Sequence, residues 1–425
     1  MTAVIFLGTL LVAMAFGMPI AYALLLSGFG MMLYLDIFDS QIIAQNLING
    51  ANSTTLLAVP FFILAGELMN AGGITQRIIN FALALVGQVR GGLGYVAIIA
   101  AVIFAGLSGS AVADAAALGA ILIPMMAKSG YNRERSAGLI AAGGIIAPVI
   151  PPSIPFILFG VTANVSITKL FLGGIVPGLL MGLALVFVWW WLTRKEKMDT
   201  LPRKSVKEML IAFKDAIWAL LMPVIILVGL RGGVFTPTES AVVAVFYALF
   251  IGTVVYRALN WKGIAQSLVS AARTTSAVMF LVAAAMVTAW LITVANVNRA
   301  ISEFLGPLTD SPLLLLIVVN IILIIIGMAM DITPIILIMA PVLLPVILEA
   351  GIDPVYFGIL FVLNCCIGLI TPPVGTVLNV VAGVGKTSLP GVVRGVWPFL
   401  VAQCIVLLLL ILFPQLVMVP LEWLY

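Results

Sequence analysis

The tightest constraint in this sequence is a glycine and proline pattern that occurs twice, 221 positions apart. The first copy reads Gly106-Leu107-Ser108-Gly109-Ser110 and then Gly144 through Pro148 to Pro151-Pro152-Ser153. The second reads Gly327-Met328-Ala329-Met330-Asp331 and then Gly368-Leu369-Ile370-Thr371-Pro372-Pro373. No gap is needed to superpose them. Gly106/Gly327, Pro124/Pro345, Gly130/Gly351, Pro151/Pro372, Pro152/Pro373, Gly174/Gly395 and Pro177/Pro398 coincide. Proline lacks an amide hydrogen and clashes with the preceding helical turn, so each Pro-Pro pair predicts a broken helix. A break repeated at one fixed offset predicts a duplicated unit.

The solvent for that unit follows from composition. Hydrophobic residues make up 63% of the chain and charged residues 8%, whereas a soluble surface needs roughly a quarter charged. Apolar runs of spanning length recur along the chain, and only helices or closed barrels satisfy a backbone in lipid. The expected fold is therefore an all-α integral membrane protein, polytopic, with inverted repeats, two re-entrant hairpins and two broken helices. Met1 to Leu35 carries no Lys or Arg and is too long for a cleavable signal, so it is expected to be retained. A net charge of +4 makes no case for nucleic acid. With no histidine and three unpaired-looking cysteines in apolar runs, zinc hydrolysis, Ser-His triads and haem ligation are excluded. An intramembrane enzyme would need an acid–base or nucleophile pair at one depth, so no enzyme is expected.

Taken in order, residues 1-52 are expected to hold a scaffold span (Val4 to Leu35) and an interfacial helix. In that helix Ile42, Ile43, Leu47 and Ile48 share a face. Residues 53-178 form the first repeat, with a hairpin at about 93-127 and a broken helix at about 136-164. Residues 179-273 supply scaffold helices and a connector, after an interfacial belt at Trp189-Trp190-Trp191. Residues 274-399 form the second repeat, with a span at Thr274 to Thr293, a hairpin at about 313-349 and a broken helix at about 355-384. Residues 400-425 complete the last span and tail.

Cations set the orientation. Lys128, Arg133 and Arg135 sit in one loop, whereas its equivalent, Glu349 to Pro354, has none. The connector holds Arg194, Lys195, Lys197, Arg203, Lys204, Lys207 and Lys214, whereas Pro414 to Tyr425 holds none. Threading the chain with two re-entrant hairpins leaves only Lys169, Arg231 and Arg299 on the second side. By the positive-inside rule the first side is cytoplasmic, and the copies are upside down relative to one another. Inverted repeats place a transport site near midplane, where discontinuous helices meet.

The breaks suggest the chemistry. Pro151, Pro152 and Pro155 leave Ala147, Pro148 and Pro151 carbonyls without helical donors, and Pro372 and Pro373 do the same for Gly368 and Leu369. An unpaired carbonyl in hydrocarbon costs several kcal/mol, so it must find a partner. One outcome is a kink satisfied by nearby Ser and Thr; the other is a hard-oxygen site for sodium, which two equivalent motifs favour. Asp114 and Asp331 are the acids nearest the hairpin tips, and ionisable groups at membrane depth mark function. Glu67 and Glu239 are expected near span ends. Amides at Gly- and Ser-rich tips could receive an anion, although packing of small residues accounts for the same composition. Gly109, Asp114, Ser153, Asp331 and Thr333 are the candidates for substrate contact.

Several stretches together carry a family resemblance. Phe61 to Ile74 (FFILAGELMNAGGI), Leu107 to Asp114 (LSGSAVAD), Pro148 to Pro155, Gly233 to Glu239 and Gly368 to Gly375 resemble the large membrane subunit of tripartite ATP-independent periplasmic (TRAP) transporters, the DctM-like family. The likeness runs through essentially the full length. It implies a small four-helix membrane subunit and a periplasmic substrate-binding protein as partners, in a bacterial inner membrane. It also implies sodium-coupled import of an organic acid, such as sialic acid, another sugar acid or a C4-dicarboxylate, by an elevator motion. The residues matching the family's sodium region are Ser108, Ser110, Gly144 and Pro151 for one site, and Gly327, Met330, Gly368 and Thr371 for the other. A membrane scaffold subunit that does not itself transport is the alternative.

Overall fold

The structure, a computed structural model, describes residues 2–195, 202–295 and 305–425. Lys197 and Arg299, used above for orientation, lie outside the described residues. Among the described residues the chain is helical with no strand. Seven helices are long and apolar enough to cross a membrane, or eight if one bent pair counts as a single span.

The chain opens with α1 (Thr2–Ala15) and α2 (Ile20–Tyr34), which pack on each other. A single span had been expected over Val4 to Leu35. Instead Gly17 takes a left-handed φ of 78° and Pro19 precedes α2, so the chain turns between two short helices. Next come α3 (Ser40–Ala51) and α4 (Ala58–Ala71), bent by 57° where they meet. Asp39 caps α3 by accepting from the Gln41 amide. The shared apolar face expected there is divided, with Ile43 buried and Ile48 66% exposed.

After α5 (Ile74–Val86), a helix pair follows: α6 (Gly92–Ser108) and α7 (Ala111–Lys128). The first broken helix is α8 (Arg133–Gly144) and α9 (Ile154–Thr162), and α10 (Ile167–Thr193) closes the copy. Of the tryptophans in α10, Trp190 and Trp191 are exposed and Arg194 lies 3.8 Å from the Trp191 ring. Trp189 does not join that belt. It is buried, donates its indole N–H to the Gly91 carbonyl at 2.8 Å, and stacks between Tyr131 and Phe399. A buried indole needs a partner for its N–H, and Gly91 supplies one.

Two helices, α11 (Val206–Arg231) and α12 (Pro237–Phe250), lead to the second copy. There α13 (Trp261–Val294) starts well before the expected Thr274. It is followed by the pair α14 (Pro312–Gly327) and α15 (Ile332–Glu349), then the broken α16 (Pro354–Gly368) and α17 (Thr376–Gly385). The chain ends with α18 (Leu389–Leu412) and α19 (Gln415–Leu424).

The 221 offset carries through to the elements. Shifting the ends of α7 by 221 lands on both ends of α15, and shifting the start of α8 lands on the start of α16. The start of α3 lands on Trp261, so the bent α3–α4 pair and the continuous α13 are counterparts. The copies also interlock reciprocally. Copy one's α9 packs on copy two's α15, and copy two's α17 packs on copy one's α7. Likewise α8 packs on α18, and α16 on α10.

Backbone contact allows the α8–α18 crossing. A Cβ on Gly395 would stand 2.0 Å from the Glu134 carbonyl oxygen, and one on Gly138 would stand 2.2 Å from the Gly395 carbonyl carbon. Membrane helices gain from close packing of small residues, and lipid offers no hydrophobic drive to replace it. Gly395→Ala should therefore lower the thermal midpoint by an amount matching about 1–3 kcal/mol of overpacking. Gly383→Ala in α17, where nothing lies within 4 Å, should leave the midpoint in place. Equal midpoints for the two variants would contradict this crossing.

Candidate functional site

Each copy brings the tip of its helix pair against the break in its broken helix. In copy one Gly109 joins α6 to α7 with a left-handed φ of 63°. A Cβ there would sit 2.7 Å from the Pro152 carbonyl oxygen, so only glycine lets tip and break meet. Ser110 is extended and caps α7, accepting from the Ala113 amide at 3.4 Å. Ser108 accepts from the Ser110 amide at 3.1 Å and donates its hydroxyl to Asp114 Oδ1. Asp114 is 1% exposed, and its Oδ2 is buried with no hydrogen-bond partner among the described residues.

On the other side of this junction, the chain leaves helical geometry after Gly144 and passes through a cis Pro151–Pro152 bond. Gly144 packs against Ala111 and Ala115 of α7; a Cβ on it would lie 3.0 Å from the Ala111 carbonyl oxygen. Ser153 caps α9, accepting from Phe156 at 3.2 Å, and donates its hydroxyl to the Pro148 carbonyl. One carbonyl freed by proline is thus taken by a neighbouring serine. The Ala147 and Pro151 carbonyls accept no hydrogen bond among the described residues. The structure therefore gathers Ser108, Gly109, Ser110, Asp114, Gly144, Pro151 and Ser153 into one region.

Copy two builds its junction differently. Gly327 and Gly368 meet backbone to backbone, with a Cβ on Gly327 only 3.1 Å from Gly368 Cα. The carbonyls expected to be free are partly engaged: Gly368 accepts from the Thr371 amide at 3.0 Å and Leu369 from the Val377 amide at 3.2 Å. A tight turn after the break supplies those donors, and the second lone pair of each oxygen remains. The Thr371 hydroxyl donates to Ile367 at 2.7 Å, the ordinary helical back-bond of threonine. Pro372–Pro373 is also cis. Met330 donates its amide to Ile326 at 3.1 Å, and Asp331 accepts from the Ile332 amide at 2.9 Å while staying exposed. Thr333 is half-buried on the first turn of α15.

Two residues near this junction escaped the sequence reading. Asn364 donates to both the carbonyl (2.8 Å) and the side-chain oxygen (2.7 Å) of Asn320, and both residues are buried. Asn320 lies two turns before Gly327 and Asn364 one turn before Gly368, so the amide pair ties α14 to α16 where the glycines touch. A single asparagine in each apolar run was the signal. Glu67 accepts from the Ser270 hydroxyl at 2.9 Å, and Glu239 forms a capping box with Thr236. The Gly233 to Glu239 stretch is thereby explained as a helix start.

Among the described residues no three His, Cys, Asp or Glu side chains cluster to hold a metal. A cation at the first junction would rest on hydroxyls, carbonyls and Asp114, and one at the second on backbone and hydroxyl oxygens, hard-oxygen sets suited to an alkali cation.

Comparisons with known proteins agree with this architecture. The profile described as "Tripartite ATP-independent periplasmic transporter, DctM component" matches residues 7–416. The chain is 53% identical over 423 residues to the 2,3-diketo-L-gulonate TRAP transporter large permease protein of Escherichia coli (strain K12), covering 100% of each. It is 41% identical to the sialic acid TRAP transporter large permease protein of Vibrio cholerae, covering 94% of this chain and 93% of that one. It is 40% identical to the C4-dicarboxylate TRAP transporter large permease protein of Pseudomonas aeruginosa, covering 90% of each. Among solved structures, the YdaH transporter of Alcanivorax borkumensis shares the fold, with a TM-score of 0.64 at 15% identity over 89% of this chain and 88% of that one. The chain belongs to the DctM component family of tripartite ATP-independent periplasmic transporters, multi-pass permeases of the bacterial inner membrane that are not enzymes.

Proposed function

We propose that this subunit imports an organic acid in symport with sodium, working with a small four-helix membrane subunit and a periplasmic substrate-binding protein. The observation that carries the sodium reading is Asp114 Oδ2, buried without a partner beside Ser108 at the first junction. An isolated carboxylate out of water is costly unless a cation joins it. Ser108 holds the other carboxylate oxygen, Ser110, Gly144 and Pro151 belong to the same junction, and the Pro151 carbonyl, which accepts no hydrogen bond among the described residues, is a further candidate ligand. At the second junction Gly327, Met330, Gly368 and Thr371 offer backbone and hydroxyl oxygens, with Asp331 on the neighbouring first turn.

The substrate reading rests on charge and helix geometry. The α7 and α15 N-termini point amide donors at the tips, where an anion is stabilised. Gly109 forms the first tip, Ser153 caps the helix that follows the break facing it, and Thr333 adds a half-buried hydroxyl beside the second tip. Asp114 and Asp331 would repel a carboxylate on their own, so a bound cation between acid and substrate makes loading of one depend on the other. That is a physical basis for coupling. Named relatives carry diketogulonate, sialic acid and C4-dicarboxylates, so a sugar acid or a C4-dicarboxylate is the proposed cargo class. Reciprocal packing between the copies lets both junctions move as one body, which suits an elevator motion against α1, α2, α11 and α12.

The test is uptake into proteoliposomes containing both membrane subunits and the binding protein. Asp114→Asn should raise the sodium concentration for half-maximal uptake about tenfold, equivalent to ~1.4 kcal/mol of binding, with assembly unchanged by size-exclusion chromatography. Unaltered sodium dependence would overturn the first site. Asp331→Ala should weaken the coupling of uptake to the sodium gradient without unfolding the chain. Uptake that follows the gradient as before would remove Asp331 from the mechanism.

A further inference from the structure

Two buried amides lie in the seam between α14 and α16, on the N-terminal side of the Gly327–Gly368 contact. Asn320 is 3% exposed and Asn364 fully buried. The Asn364 amide nitrogen donates twice to Asn320, to its backbone carbonyl at 2.8 Å and to its side-chain oxygen at 2.7 Å. Asn320 in turn donates to the Leu316 carbonyl of its own helix at 2.8 Å. This order of donors fixes which way each amide faces, since a reversed Asn364 would set oxygen against oxygen. One acceptor is left over: Asn364 Oδ1 is buried with no hydrogen-bond partner among the described residues.

Stability alone is a poor reason for such a pair. A buried acceptor left unmade costs stability, whereas two apolar side chains of the same shape would be nearly neutral. What the pair does set is how α14 meets α16. A Cβ on Gly368 would lie 2.7 Å from Gly327 Cα and 3.0 Å from the Gly327 carbonyl oxygen, so the two backbones touch. The Gly327 carbonyl accepts no hydrogen bond among the described residues, and Gly368 keeps a lone pair after accepting from Thr371. These two oxygens belong to opposite partners in one helix contact, so their separation changes whenever α14 shifts against α16. Oxygen ligands of a bound metal ion tolerate errors of only about 0.2 Å. Asn364 precedes Gly368 by four residues on the same helical face, about 6 Å along the axis.

We propose, resting on the sodium symport reading above, that Asn320 and Asn364 are positioning residues for the second cation site. They hold the Gly327 and Gly368 oxygens at the separation sodium requires. Copy one gives the contrast. Ile99 and Gly143 occupy the equivalent positions there, and the buried Asp114 draws a cation by charge. At the second junction Asp331 is exposed, so the affinity depends on well-placed dipoles and therefore on geometry.

The experiment uses both membrane subunits and the binding protein in proteoliposomes, with uptake titrated against sodium. Thermal unfolding of the assembled membrane complex is followed in potassium. Asn320→Val/Asn364→Val, apolar and of similar bulk, should raise the sodium concentration for half-maximal uptake at least fivefold. Maximal uptake at saturating sodium should stay within about twofold of the parent, and the unfolding midpoint in potassium should equal or exceed the parent's. Asn364→Thr, which keeps one donor, should fall between, and it carries the same test if the double variant does not assemble. A lowered midpoint in potassium with unchanged half-maximal sodium would reduce the pair to packing and overturn the assignment. Half-maximal sodium unmoved in a sodium-dependent transporter would overturn this assignment alone. Parent uptake indifferent to sodium would overturn the symport reading and this assignment with it.

Discussion

A helix broken in hydrocarbon must hand its freed carbonyls to some partner, and the structure is arranged around how that is done twice. Each break lies against a helix-pair tip, so the two irregular segments of a copy cover one another. Lipid-exposed irregular backbone is not tolerated at that depth. Reciprocal packing then covers the outer sides, since α9 rests on α15 and α17 on α7. Each copy's broken helix is therefore covered in part by the other copy.

The copies have diverged at the place where they are most alike. Copy one keeps serine hydroxyls, a buried acid and two carbonyls that accept no hydrogen bond among the described residues. Copy two closes its carbonyls with turn amides, presses Gly327 on Gly368, and fastens the contact with the Asn320–Asn364 pair. The equivalent positions in copy one are Ile99 and Gly143, which cannot form such a pair. On this account the first junction has more unsatisfied oxygen to offer a cation, and the second is held more by its own backbone.

Much of this could be read from residue types, because proline and glycine act locally. Pro151-Pro152 and Pro372-Pro373 each lie in a helix break, although single prolines such as Pro124 and Pro345 sit inside α7 and α15, and Gly109 signals a left-handed turn. Charge asymmetry between Lys128–Arg135 and Glu349–Pro354 is the sequence's argument for inversion. What could not be read depended on contacts across the chain. Trp189 sits in a triplet that looks interfacial, yet its burial is decided by Gly91 and Gly94 about a hundred residues away. The turn at Gly17 was hidden in a run apolar enough to pass for one span. Carbonyl accounting at Gly368 failed because the donors come from the turn itself, which proline spacing does not reveal.

The inverted arrangement is the central claim, and single-cysteine labelling tests it most directly. Ser129 and Ala350 are equivalent under the 221 offset, each ending its helix pair's second helix. In a background without Cys365, Cys366 and Cys404, a membrane-impermeant thiol reagent added outside spheroplasts should modify Ala350→Cys. Ser129→Cys should react only after the membrane is opened. Labelling of both positions from the same side would contradict the account.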